Sequence, residues 1–378
     1  MVILTKQTAK RRVRRIQVWM GSALLGLSVW GFSGSSKSFG DYSQVVHAQS
    51  PAINTGNAPT YPIEPPPPRI DPLPGQRQRQ ETQNQNVGDD YRVSALQPDY
   101  TGSMWIGSWQ GLARIDSITG RILARVNIPD TAIGALAQDH SGRVWVGTYE
   151  GLFRVDPRSN EITAQSFFLP SKRVLSLLVD RRGYLWVGGD RGISLISPDQ
   201  GLIMTTLQAL PGVSANALSL DGRGQLWVGT QNGLVEIDTA SALITNRVIN
   251  VPGGNVQVLT LSPRGSLWAG TPTGLLEFNP RTGRFLRSVT QFRGRNVTSI
   301  QFDKTGSLWV GTDSGLFQVN PYNGAIGGQV PDLPSDRILA LSPESGRKFW
   351  VGTSEGLSWV NLNTGRAKPH FTFSRAGR

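Results

Sequence analysis

Cysteine is absent from all 378 residues of this chain. The fold therefore uses no disulfide, and a thiol nucleophile or a Cys-linked lipid anchor is excluded. Histidine is nearly absent: His47, His140 and His370 are the only three, and no two are spaced as metal ligands. No metal and no cofactor are expected. Also missing are a Gly-x-Ser-x-Gly elbow, a P-loop and a dinucleotide-binding fingerprint. Acidic residues are scarce, 26 against 38 Lys and Arg, for a formal net charge of +12. In the body of the chain, apolar runs last five to seven residues before Gly, Asp or Asn interrupts them. Such runs are too short for helices and read as strands joined by tight turns.

What is present is a period. Trp105, Trp145, Trp186, Trp227, Trp268, Trp309 and Trp350 follow one another at steps of 40 and then 41 residues. Each is followed by Gly two positions on (Gly107 to Gly352) and again six positions on (Gly111 to Gly356), and then by Leu or Ile. A regular period near 40 marks a repeat architecture. The first turn of the unit reads Asp-x-x-Gly at Asp99, Asp139, Asp180, Asp221 and Asp303, with Ser262 in the fifth unit and a displaced Glu344/Gly346 in the seventh. Asp opening a turn accepts backbone N–H groups and Gly takes positive φ, so these are turn formers and not a carboxylate cluster.

Four strands per unit, repeated radially, make a propeller blade. The expected fold is all-β: a seven-bladed β-propeller over residues 91–378, with four antiparallel strands per blade. The seven repeat tryptophans are expected as structural core, packed between blades. Closure is expected by packing blade 1, starting near Val93, against blade 7, with no strand shared between the ends.

The run Leu-Trp-Val-Gly-Thr-x-x-Gly-Leu resembles the two-component regulator propeller repeat. That resemblance covers all seven blades. It implies a propeller of the kind found in the extracytoplasmic sensor regions of bacterial histidine kinases. The chain ends at Arg378, a few residues past the last blade, so an attached kinase is not expected.

Ahead of the blades, Lys6, Lys10, Arg11, Arg12, Arg14 and Arg15 precede an uncharged stretch from Ile16 to Ser36. This is the layout of a secretory signal over residues 1–48, with Val46-His47-Ala48 as the cleavage site. The alternative is an uncleaved membrane tether through residues 16–36. Either way the propeller is expected outside the cytoplasm, in the periplasm or an equivalent compartment. Residues 49–90 hold nine prolines and a Gln/Asn-rich tract and are expected to be a disordered spacer.

The propeller carries 28 basic residues, 24 of them Arg, and 20 acidic ones. The plain account of the excess is solvated blade edges that discourage strand pairing. The functional account is a basic surface, including Lys172, Arg173, Arg293 and Arg295, that docks an acidic partner. Nucleic acid is not expected in an exported protein without a recognition motif. The repeat breaks in the turn after each Trp strand, at Trp109, Tyr149, Asp190, Arg191, Gln231 and Asp313. These turns share a face with the inter-blade connections. Their aromatic, amide and charged side chains suit a saccharide, peptide or exported protein partner. The leading expectation is a non-enzymatic binding propeller acting through this face. The alternatives are an assembly scaffold for an acidic partner, and a lyase or hydrolase with a loop-built site.

Overall fold

The computed structural model describes residues 90–128, 132–165 and 167–374. The expected signal or anchor segment, and the spacer up to residue 89, lie outside the described residues. The described chain forms 28 strands in seven four-stranded antiparallel sheets, each taking its strands in sequence order. Blade 1 comprises Val93–Pro98, Ser103–Ser108, Gly111–Asp116 and Ile122–Val126; blade 7 comprises Ile338–Leu341, Phe349–Thr353, Gly356–Asn361 and Arg366–Ser374.

Each seam between blades has its own hydrophobic core, and each core holds one repeat tryptophan. Trp105 packs with Ile133, Val144 and Val146 of blade 2. The pattern recurs until Trp350 packs with Val93, Met104 and Ile106 of blade 1. All seven indoles are at most 2% exposed. The Gly two places after each Trp makes the approach possible. A Cβ on Gly107 would lie 2.5 Å from Ile133 Cγ2, and one on Gly229 would lie 2.7 Å from Val256 Cγ1. At the last seam a Cβ on Gly352 would meet the Val93 carbonyl. The closing seam thus obeys the same rule as the internal ones. Residues 93–98 pair with their own second strand, so closure is by packing, as the repeat register implies.

The Asp of the first turn has two roles. One carboxylate oxygen accepts turn N–H groups, as at Asp139, where Ser141 and Arg143 donate at 2.9 and 3.0 Å. The other accepts the buried indole N–H: Trp105 to Asp99, Trp145 to Asp139, Trp186 to Asp180 and Trp309 to Asp303, at 2.8 to 3.1 Å. Burial would raise the Asp99 pKa, but the Thr101 N–H and hydroxyl, Arg114 and the indole outweigh it and hold it below the ordinary value.

Several arginines serve the seams between blades. They tie one blade to the next by donating to turn carbonyls. Arg114 reaches Pro157 O, Arg154 reaches Pro198 O and Arg223 reaches Pro280 O, at 3.1, 3.3 and 2.9 Å. Arg287 bonds the carbonyls of both Pro321 and Tyr322. A carbonyl facing a guanidinium gains a charge-assisted bond, so part of the Arg excess stitches the ring together.

Candidate recognition face

The turns after the Trp strands are built by one device. A Thr or Ser closing the strand donates its hydroxyl to the carbonyl of the second Gly and accepts the N–H two residues on. Thr148 does so with Gly151 O at 2.9 Å and Glu150 N at 3.1 Å, and Thr230 with Gly233 O at 3.0 Å and Asn232 N at 3.2 Å. With its own polar groups satisfied, the turn presents its two middle side chains outward. Trp109 and Tyr149 are accordingly 40% and 43% exposed.

Blades 1 to 3 bring the aromatic and cationic members together. The Arg92 guanidinium lies 3.8 Å from the centre of the Trp109 ring and within electrostatic reach of Tyr149. Arg173, from the connection into blade 3, lies 4.8 Å over the Tyr149 ring. Arg173 and Arg191 line one shallow dimple with Ser171. The result is an alternating cation–aromatic row across three blades. Asp90 orients its first member through bonds to Arg92 Nε at 2.8 and 2.9 Å. The bonds to Asp90 raise the Arg92 pKa. Burial pushes the Asp90 pKa up, but the Arg92 bonds outweigh it and leave it lowered. Cation–π contacts of this kind contribute about 0.5–1 kcal/mol each when exposed.

Asp190, in the same dimple's turn, departs from the device because Gly189 stands where other blades have Thr or Ser. Its Oδ1 is buried without a hydrogen-bond partner, as is the nearby Ser214 Oγ. Gln231 packs under the Gly212 turn of the preceding connection and keeps an exposed end. Asp313 is exposed in blade 6, outside the three-blade row. Of the basic residues, Lys172 and Arg293 are exposed, while Arg295 lies 4.9 Å over the Phe317 ring. Arg92 went unread in the sequence. Its signal was position: Arg92, Arg173 and Arg337 all stand thirteen residues before their blade's Trp.

The two component regulator propeller family matches residues 127–150, 169–191 and 291–314. The chain carries two component regulator propeller repeats. Each matched stretch runs from an inter-blade connection through a repeat Trp into one of these turns, ending at Glu150, Arg191 or Ser314. No curated protein matches the chain at a significant level. Among solved structures, it is similar to the extracellular domain assigned to a one component system from B. thetaiotaomicron, at 21% identity and a TM-score of 0.62, over 71% of this chain and 38% of that one. A second, the extracellular domain assigned to a hybrid two component system from B. thetaiotaomicron, gives 19% identity and a TM-score of 0.62, over 72% and 39%. A virginiamycin B lyase from Staphylococcus aureus gives 16% identity and a TM-score of 0.61, over 71% and 94%. The chain thus spans about two fifths of the length of these two extracellular domains. At these identities the likeness is one of fold.

Proposed function

We propose that this propeller is an extracytoplasmic, non-catalytic binding module that captures a ligand or exported protein on the face formed by its post-Trp turns. The observation that carries this reading is the row of Arg92, Trp109, Tyr149, Arg173 and Arg191. Exposed aromatic rings held under guanidinium groups offer stacking area and planar donors together, the combination that recurs at binding hot spots. Location outside the cytoplasm draws support from the charge layout of residues 1–36 and from the fold shared with extracellular sensor domains. The alternative, a scaffold docking an acidic partner on Lys172, Arg173, Arg293 and Arg295, shares Arg173 with this row, while Lys172 and Arg293 stand exposed beside it and in blade 6.

The test is capture of partners from the cell envelope fraction by wild-type protein and by a Trp109→Ala/Tyr149→Ala/Arg191→Ala variant. The expected outcome is loss of capture with folding stability unchanged to within about 1 kcal/mol, as for surface substitutions. Undiminished capture by the triple variant overturns the assignment of the face.

A further inference from the structure

The other end of the blades carries a groove that the repeat does not account for. Three hollows of about 450, 540 and 390 Å³ run together across blades 4 to 6. Arg264 and Ser266 border the first and second; Thr305, Gly306, Pro321 and Tyr322 border the second and third.

The groove begins with one missing carboxylate. In blades 3 and 4 the Arg two places after the turn Asp folds back onto it: Arg182 onto Asp180 at 2.8 Å and Arg223 onto Asp221 at 2.7 Å. In blade 5 the turn residue is Ser262, and its hydroxyl lies 2.9 Å from that of Ser266, which accepts the Trp268 indole N–H at 3.1 Å. Arg264, at the same register, has no carboxylate to fold onto. It extends across the seam and lies 4.0 Å over the Tyr322 ring of blade 6. Behind it, Arg287 pairs with Glu277 at 2.6 Å and fixes the Tyr322 backbone. Tyr322 remains 56% exposed.

The charge left over is positive. Arg223 is shared between Asp221 and Glu236, Arg287 pairs with Glu277 and Lys304 with Glu344, whereas neither Arg264 nor Arg281 has an acidic partner among the described residues. The backbone offers a ligand little. The N–H groups of Gly265, Ser266, Arg281, Thr305, Ser307 and Tyr322 are all taken by their own turns. A peptide adding main-chain hydrogen bonds would find few free donors. Recognition falls instead on guanidinium planes, hydroxyls and an aromatic ring, which match a sugar ring bearing a carboxylate.

We propose that this groove binds an acidic oligosaccharide, with Arg264 taking a uronate carboxylate and Tyr322 packing against the sugar ring. Tetragalacturonate, its carboxyl-reduced counterpart and hexaglutamate are titrated calorimetrically into the full chain and into Arg264→Ala, Arg264→Lys, Tyr322→Ala and Arg158→Ala variants. Tetragalacturonate is expected to bind the wild type, with affinity lowered at least about tenfold by Arg264→Ala, by Tyr322→Ala and by carboxyl reduction. Arg264→Lys is expected to fall between, since it keeps the charge and loses the planar stack. Arg158→Ala, at the corresponding turn of blade 2 and outside the groove, is expected to bind as wild type. Should Tyr322→Ala fail to fold, the two Arg264 variants decide. Absence of tetragalacturonate binding overturns the proposal, as does unchanged affinity in Arg264→Ala, equal binding of hexaglutamate, or an equal loss in Arg158→Ala.

Discussion

Trp227 and Trp109 are the same residue type in adjacent roles, one sealed in a seam and one lying on a turn. Truncating Trp227 to Ala empties a site that blades 4 and 5 share, whereas Trp109→Ala removes an exposed ring. The stabilities of the two variants are expected to differ by at least ~2 kcal/mol in urea titration. The seven indoles are also not equivalent among themselves. Trp145 donates to Asp139, while the Trp227 Nε1 is buried without a partner. Trp145→Phe is therefore expected to cost about 1 kcal/mol more than Trp227→Phe, the ordinary net worth of a hydrogen bond. The seam role was legible from period alone. The Asp–indole bond was not, because turn formation already accounts for the Asp and burial for the Trp, and no local pattern says that the two side chains meet. Arg264 was legible in principle: its register equals that of Arg182 and Arg223, and the missing Asp stands two places before it.

Blade 7 departs from the pattern at its first turn, where Glu344 and Gly346 replace Asp-x-x-Gly, and its outer strand places a titratable ring against the next blade's turn, where blades 4 and 5 use Asn246 and Arg287. His370 is 4% exposed. Its Nε2 lies 2.7 Å from the Gly120 carbonyl of blade 1, and its Nδ1 accepts the Thr372 N–H at 3.2 Å. This pair of bonds requires the neutral ring with the proton on Nε2. Burial lowers the His370 pKa below 6.5, with Lys348 and Arg125 adding to the effect and the Gly120 carbonyl opposing it. Below pH 6.5 the unfolded chain binds a proton that the folded chain refuses. The seam's contribution is thus whole above 6.5 and declines as the pH falls toward the folded value. The slope is at most about 1.4 kcal/mol per pH unit. Urea midpoints measured across this range are expected to fall for the wild type and to flatten for His370→Gln. From sequence, His370 was only a residue of the last outer strand. Its meaning depends on Gly120, 250 positions away in the chain, and no spacing rule connects them.

The ring as a whole has seven seams of one kind. Gly352 receives Val93 as Gly107 receives Ile133. The order of blades in the chain should then matter little to the finished molecule. A circular permutant that joins residue 374 to residue 92 through a connection like those at other seams, and opens between Pro211 and Gly212, is expected to fold. Its melting transition should remain single and within about 2 kcal/mol of the parent, because termini at surface loops are tolerated. A broad or split transition would mean that the closing seam differs from the rest. Seam chemistry has a mechanical side as well. In a ring whose first and last segments share a sheet, tension on the chain ends shears a row of main-chain bonds all at once. Here tension entering ahead of Val93 meets that strand's antiparallel bonds to Ser103–Ser108 and the Val93 side chain seated in the closing seam, and can release them one after another from the Val93 end. A steady pull on the leading strand therefore loads the closing seam, where blades 1 and 7 are joined by packing and not by a shared sheet.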